Sequence, residues 1–241
     1  MKTIIIIPSR MASKRFPNKP MALINGKPMI QRVWEQALSS KLGDVLVACC
    51  ENQVYDCIKS LGGEAILTDP ELPSGTDRVY QALTDYDIDQ YESIINLQGD
   101  MPMINPSDIE KVNIPLMQGF DIGSLVTDLK KEEIEDKNIT KARISWIKKN
   151  IIGHATYFTK SSEIQNKLFY HHVGIYSFKY ETLKKFVSLP QTKNEIDNQL
   201  EQLRAIDANM SIGVSYVKDV PISVDTKEDL IKIENIIKNK R

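Results

Sequence analysis

Histidine, cysteine and tryptophan are scarce in this chain of 241 residues, which holds three histidines, three cysteines and two tryptophans. Cys49, Cys50 and Cys57 are odd in number, two are adjacent, and none has a metal-ligand spacing. Neither a disulfide framework nor a structural zinc site is expected, only buried, reduced thiols. An excess of charge is also missing: 31 Lys and Arg stand against 32 Asp and Glu. Bulk electrostatics therefore give no reason to expect nucleic acid or a membrane surface as a partner. The N-terminal apolar run Thr3-Ile4-Ile5-Ile6-Ile7 stops at Pro8. It is far too short for a signal peptide or a membrane span, so a cytoplasmic protein is expected. Two nucleotide-binding signatures are absent as well. Gly26-Lys27 runs into Pro28 where a P-loop needs Ser or Thr, and no G-x-G-x-x-G occurs. Internal repeats, linkers and low-complexity tracts are lacking too.

What is present reads as a single α/β domain spanning residues 1–241. Apolar residues make up 41% of the chain and charged ones 26%, enough for one buried core. The β-branched run at 3–7 predicts a strand buried on both faces. Pro28 suits the first turn of a helix running to about Ser40. Strands are predicted at 44–49, 64–67 and 92–97, alternating with helices at 51–61 and 76–86. That alternation argues for a mainly parallel sheet with helices on both faces. Ligands of such sheets bind beyond the carboxyl ends of the strands, where the loops at 9–19 and 98–100 should lie together. The second half reads as an inserted mixed β-region. A hairpin at 142–147 and 152–158 is followed by a strand at 172–178. Helix 195–208, strand 212–217 and a closing helix 226–238 complete the chain. Thr226 and Asp229 are spaced for a capping box on that last helix.

Four constellations could carry chemistry. In the loop Pro8–Pro20, the cations Arg10, Lys14, Arg15 and Lys19 fall within ten residues of one another. A triphosphate needs such charges as negative charge moves onto departing pyrophosphate, although a solvated basic loop has the same composition. Pro73-Ser74-Gly75-Thr76-Asp77-Arg78 opens a helix with small residues that let backbone amides approach an anion, or that simply cap the helix. Asp100, in Asn96-Leu97-Gln98-Gly99-Asp100, and the distant Asp225 could share a hard cation such as Mg²⁺, or serve singly as turn and cap residues. Finally, His172 and Tyr176 are four apart on a strand and so face one way, with hydrogen-bonding groups suited to a polyhydroxylated ligand. His171 faces oppositely.

Taken together, these segments resemble the 3-deoxy-manno-octulosonate (Kdo) cytidylyltransferases. The matching stretches are IIPSRMASKRFPNKPM at 6–21, INGKPMI at 24–30, PSGTDR at 73–78 and NLQGDMPMI at 96–104. HVGIYSF at 172–178, LEQLRAI at 200–206 and VDTKEDL at 224–230 follow in the same order. The resemblance implies a nucleotidyltransferase, Rossmann-like α/β fold, a homodimer, and CTP with Mg²⁺ as requirements. It implies that Arg10, Arg15 and Lys19 hold the triphosphate with help from Ser13, and that Ser74 and Gly75 lie against cytidine. Asp100 and Asp225 would ligate the metal. Arg78, Gln98, His172, Tyr176, Glu201 and Gln202 would line a pocket for an acidic eight-carbon 2-keto sugar, Arg78 meeting its carboxylate. The implied reaction is CMP transfer from CTP with release of pyrophosphate, a step that activates a lipopolysaccharide precursor.

The chain departs from the usual pattern at Met101, Asn18 and Lys160, and in Ser161-Ser162-Glu163-Ile164. A Lys in place of Arg loses the two-pronged fork. The same chemistry on an 8-amino Kdo or on a sialic or legionaminic-type acid is therefore an alternative, as is the methylerythritol phosphate type of cytidylyltransferase. A non-catalytic nucleotide-binding regulator is the competitor from another class; retention of Asp100, Asp225 and the loop cations argues against it.

Overall fold

The computed structural model describes residues 1–12, 16–86, 90–163 and 169–239. The chain divides into two compact units: Met1–Ile109 with Pro221–Arg241, and Glu110–Val220. The first unit begins with β1 (Thr3–Ser9), in which Ile4 to Ile7 are fully buried. Burial on both faces explains the unbroken β-branched run, each isoleucine contributing about 1.5–3 kcal/mol of transfer free energy. A 3-10 turn at Lys19–Met21 and a short ladder of β2 (Leu23–Ile24) and β3 (Lys27–Pro28) lead into α1 (Met29–Ser39). Pro28 is the residue preceding that helix, with extended ψ, rather than part of its first turn. Next come β4 (Gly43–Cys49), α2 (Asn52–Ser60), β5 (Glu64–Leu67), α3 (Gly75–Thr84) and β6 (Ser93–Asn96). Within this unit the strand order is β5-β4-β1-β6, and the three pairings are all parallel. The alternating apolar strands and helices are thus borne out, with ends shifted by a residue or two. Helix α4 (Pro106–Lys111) follows.

The second unit holds α5 (Ile114–Met117), β7 (Ile122–Asp128), β8 (Lys141–Lys148), β9 (Ile152–Thr159) and β10 (Phe169–Phe178). It continues with α6 (Tyr180–Ser188), α7 (Lys193–Asn198), α8 (Gln202–Asp207) and β11 (Ile212–Tyr216). The expected hairpin is the antiparallel pair β8–β9. The sheet is mixed, in the order β10-β7-β11-β9-β8, and β8 also pairs with β10, so the five strands close on themselves. Strand β7 and helix α6 lie outside the sequence reading. Gly123 and Ser124 interrupt the apolar run of β7, and both are needed there. A side chain at Gly123 would run into the carbonyl of Val112, and Ser124 is fully buried on hydrogen bonds.

The helix expected over 195–208 is two helices. Gln199 between them takes a left-handed conformation, φ 52°, and ends α7. Ile196, read as part of the apolar face, is exposed, whereas Leu200 and Leu203 are buried as expected. Arg204 holds the two helices together with a two-pronged bond to Glu195, Nε to Oε2 at 2.9 Å and Nη2 to Oε1 at 2.6 Å. Helix α9 (Lys227–Asn239) belongs to the first unit, where Val224 and Ile233 pack with Phe16, Ile24 and Met29. Its capping box is as read: Thr226 donates its N–H to Asp229, and the Thr226 hydroxyl accepts the Asp229 amide at 3.2 Å.

Candidate functional site

The opening loop leaves the carboxyl end of β1, and its base is closed by the Asn18 amide donating to the Met11 carbonyl at 3.2 Å. Asn18 adopts a left-handed conformation, φ 58°, which turns the chain into Lys19. The Lys19 ammonium donates to Asp100 Oδ2 at 2.9 Å, to the Val224 carbonyl at 2.9 Å and to Asp225 Oδ1 at 3.4 Å. Two aspartates 125 positions apart in sequence are therefore gathered on one cation. Their oxygens lie no further apart than those two contacts laid end to end. The Val224 amide donates to the Asp100 carbonyl at 2.9 Å, which locks the two segments backbone to backbone. Because Thr226 and Asp229 cap α9, the Asp225 carboxylate is not consumed by capping and turns to Lys19. The two loops expected at one sheet edge do meet there.

Gly99 permits close packing at the Gln98–Asp100 turn. A Cβ at that position would stand 3.0 Å from the Pro8 carbonyl, so a side chain there would push β1 and the turn apart by a few tenths of an ångström. Gly75 faces the same proline: a Cβ there would lie 3.4 Å from Pro8 Cγ and 3.7 Å from Gln98 Oε1. Gln98 is held by its amide donating to Asn96 Oδ1 at 2.9 Å. Ser74 caps α3, accepting the amides of Thr76 and Asp77 at 3.1 and 3.2 Å. Pro8, Gly75 and Gln98 thus form one corner. Arg78, on the first turns of α3, is buried; its Nη1 donates to the Thr68 hydroxyl and to the Asp69 carbonyl. Arg10 is exposed. Ser13 and Arg15 lie outside the described residues.

The surroundings of the cysteines favour the protonated thiol over the nucleophilic thiolate. Burial pushes Cys49 up to about 12, and burial with a hydrogen bond to Glu51 pushes Cys50 up to about 11. Both stay protonated near neutral pH. Cys49 is buried as expected, while Cys50 and Cys57 are half-buried, and all three are free. Among the described residues no group of three or more His, Cys, Asp and Glu side chains could hold a metal ion. A cation at Asp100 and Asp225 would thus need further oxygen ligands from outside these side chains. The donor set nonetheless fits a hard cation, since two carboxylate oxygens already converge on one positive charge.

In the second unit, His172 and Tyr176 do share a face of β10, with ring centroids 5.7 Å apart. The Tyr176 hydroxyl donates to Gln202 Oε1 at 3.3 Å, so three of the four residues read for sugar binding here are in contact, and Glu201 is adjacent in sequence. His172 bonds through Nε2 to the Ser124 hydroxyl at 2.9 Å and meets Phe158 edge-on. Burial, reinforced by His171, pushes His172 down to about 3, so the imidazole is neutral and orients rather than carries charge. Burial and the Glu201 carboxylate push the Tyr176 phenol up. His171 faces the other way, toward Glu133 at 3.2 Å. The sequence reading missed Ser124. A lone small hydroxyl within an apolar stretch was its only signal. It missed the Val224 carbonyl too, which no side chain could have announced.

Residues 4–212 match a family model described as cytidylyltransferase. A 3-deoxy-manno-octulosonate cytidylyltransferase from Paramagnetospirillum magneticum is 41% identical over 98% of this chain and 97% of its own. One from Parvibaculum lavamentivorans is 42% identical, covering 95% and 90%. Among solved structures, a CMP:2-keto-3-deoxy-manno-octonic acid synthetase complexed with CTP superposes with a TM-score of 0.90 at 30% identity, each chain fully covered. A nucleotidyl transferase from Methanothermobacter thermautotroptrophicus shares the fold, with a TM-score of 0.65 at 11% identity.

Proposed function

The chain belongs to the 3-deoxy-manno-octulosonate cytidylyltransferase family, and from that premise we propose that it transfers CMP from CTP to the anomeric hydroxyl of 3-deoxy-manno-octulosonate. The relatives favour this acceptor over the amino-sugar and sialic-type alternatives. One new bond forms, between the sugar oxygen and the α-phosphorus. Two break: the hydroxyl's O–H bond, whose proton passes to solvent, and the bond between the α-phosphorus and the bridging oxygen of departing pyrophosphate. No protein nucleophile is required, so catalysis rests on positioning and charge.

The observation that carries the chemical reading is the convergence of Lys19, Asp100 and Asp225 at the end of the opening loop. Arg10, Arg15 and Lys19, with Ser13, hold the triphosphate, and Lys19 and the arginines neutralise charge arriving on pyrophosphate. Asp100 and Asp225 would hold Mg²⁺, which when bound supplies electrostatic stabilisation at the phosphates. Ser74 and Gly75 receive the cytidine, the missing Cβ at Gly75 leaving the corner beside Pro8 and Gln98 open. Gln98 is assigned to the acceptor. His172, Tyr176, Glu201 and Gln202 are assigned to the sugar hydroxyls. A neutral His172 anchored on Ser124 gives that cluster a fixed hydrogen-bonding pattern. Arg78 is assigned to the sugar's carboxylate. No helix among the described residues is long and apolar enough to cross a membrane; a cytoplasmic homodimer completes the proposal.

The test is pyrophosphate release measured for CTP and UTP against a panel of Kdo, 8-amino Kdo and sialic-type acids. Release with CTP and Kdo that stops on adding EDTA and returns with Mg²⁺ is the expected result. CTP binding with no release for any acceptor would instead identify a regulator, and release undiminished in EDTA would remove the metal from the scheme.

A further inference from the structure

Glu51 occupies the N-cap of α2 with extended backbone, φ −123° and ψ 137°, yet its side chain makes no capping hydrogen bond. Ser, Thr, Asp or Asn at that position accepts the first amides of its own helix, whereas the longer Glu side chain is free to reach elsewhere. Here Oε1 instead accepts the Met11 amide at 2.9 Å and the Cys50 thiol at 3.2 Å, reaching a loop forty residues earlier. Its other oxygen, Oε2, is buried without a hydrogen-bond partner among the described residues. Burying an unpaired oxygen costs free energy, which the bond from the Met11 amide partly offsets while tying this carboxylate to the loop.

Met11 is the hinge of that loop. Its N–H is held by Glu51, and its carbonyl accepts the Asn18 amide, closing the base over residues 11–18. Asn18 then delivers Lys19 to Asp100 and Asp225. One side of the loop's base is thus fixed to the carboxyl end of β4, and its far end to the aspartates. Segments anchored at Met11 and at Lys19 have less freedom to lose when Arg10 and Lys19 meet a polyanion.

We propose that Glu51 is a positioning residue of the triphosphate loop, holding the loop's base through the Met11 amide and so presenting Arg10 and Lys19 to the nucleotide. The proposal rests on reading that loop as the triphosphate site. It is tested with Glu51→Ser, Glu51→Ala and Glu51→Gln. Serine restores a cap to α2 while losing the reach to Met11, and glutamine keeps an acceptor oxygen. Two measurements are needed: steady-state kinetics with each substrate varied, and tryptic cleavage at the loop's basic residues without substrate. For Glu51→Ser and Glu51→Ala, kcat/KM for CTP should fall about tenfold, the size of one lost charge-assisted hydrogen bond. Loop cleavage should quicken by a similar factor, and KM for the sugar acid should stay within about twofold. Thermal stability of Glu51→Ser should be unchanged or raised by its new cap. Glu51→Gln should remain within about threefold of the parent in both measurements.

CTP kinetics and cleavage like the parent's in Glu51→Ser would overturn the proposal. So would Glu51→Gln as impaired as Glu51→Ala, which would make charge rather than the Met11 bond the relevant property. If the parent itself transferred no CMP, the assignment of the loop would fail, while the cleavage rates would still decide whether Glu51 holds it.

Discussion

Replacing Asp100 by asparagine separates the catalytic demand on this carboxylate from its structural one. The turn is held by backbone: the Asp100 carbonyl accepts the Val224 amide at 2.9 Å, and the Met101 amide donates to the Gln98 carbonyl at 3.4 Å. Neither bond depends on the side chain. Asparagine is nearly isosteric, and its amide oxygen can still accept from Lys19, which also keeps the Val224 carbonyl and Asp225. The Lys19–Asp100 pair is partly exposed, with side chains at 15% and 27%, which places it between exposed pairs worth ~0–1 kcal/mol and buried ones worth more. Asp100→Asn should therefore cost about 1 kcal/mol of stability. Turnover is another matter. The variant loses one of two anionic oxygens proposed to hold Mg²⁺, and with it a full negative charge beside the phosphates. A loss of roughly a thousandfold, about 4 kcal/mol of transition-state stabilisation, is expected. Pyrophosphate release at saturating CTP and Kdo, paired with a denaturant titration, measures both quantities on one preparation. A folded Asp100→Asn enzyme within about tenfold of the parent rate would refute the assignment of this carboxylate.

His172 gives a pH signature. Its folded value, about 3, lies below the ordinary histidine value, so between the two the unfolded chain binds a proton that the folded chain refuses. Stability contributed by neutral His172 is full above about pH 6.5 and drains as pH falls toward 3, by up to ~1.4 kcal/mol per pH unit. His172→Gln should lower stability at pH 7, by loss of packing on Phe158 and Tyr176, but flatten the curve from pH 6.5 to 4; curves of parallel slope would contradict this. Arg204→Met strands the buried Glu195 carboxylate, since the pair is only 3% and 6% exposed, and should cost ~3–5 kcal/mol in urea unfolding. A loss under 1 kcal/mol would show that solvent reaches the pair. Gly75→Ala meets only ordinary contacts at Pro8 and Gln98, so the melting temperature should hold while KM for CTP rises several-fold. Unchanged KM would place the cytidine elsewhere.

Much of this molecule was legible along the chain because the signals are local. The isoleucines of β1, the β8–β9 hairpin and the Thr226–Asp229 cap each depend on neighbours within a few residues. The position of the basic loop followed from one rule, that loops after parallel strands gather at a common edge. Helix 195–208 was misread because composition does not report a left-handed Gln199, a conformation imposed by the turn between two helices that Arg204 and Glu195 clamp. Strand β7 was invisible because its glycine and serine are chosen for what they face, not for strand propensity.

Sequence alone therefore determined the class of elements and the cationic loop, since residue type and short-range periodicity carry that information, while the resemblance to a known family is what singled out the two aspartates. Tertiary structure decided that Asp100 and Asp225 meet on Lys19, that His172 is buried and neutral, and that Glu51 turns from its own helix to the Met11 amide. Each of those depends on segments distant along the chain being folded against one another, and on the water expelled between them. A linear string specifies neither a distance nor a local dielectric.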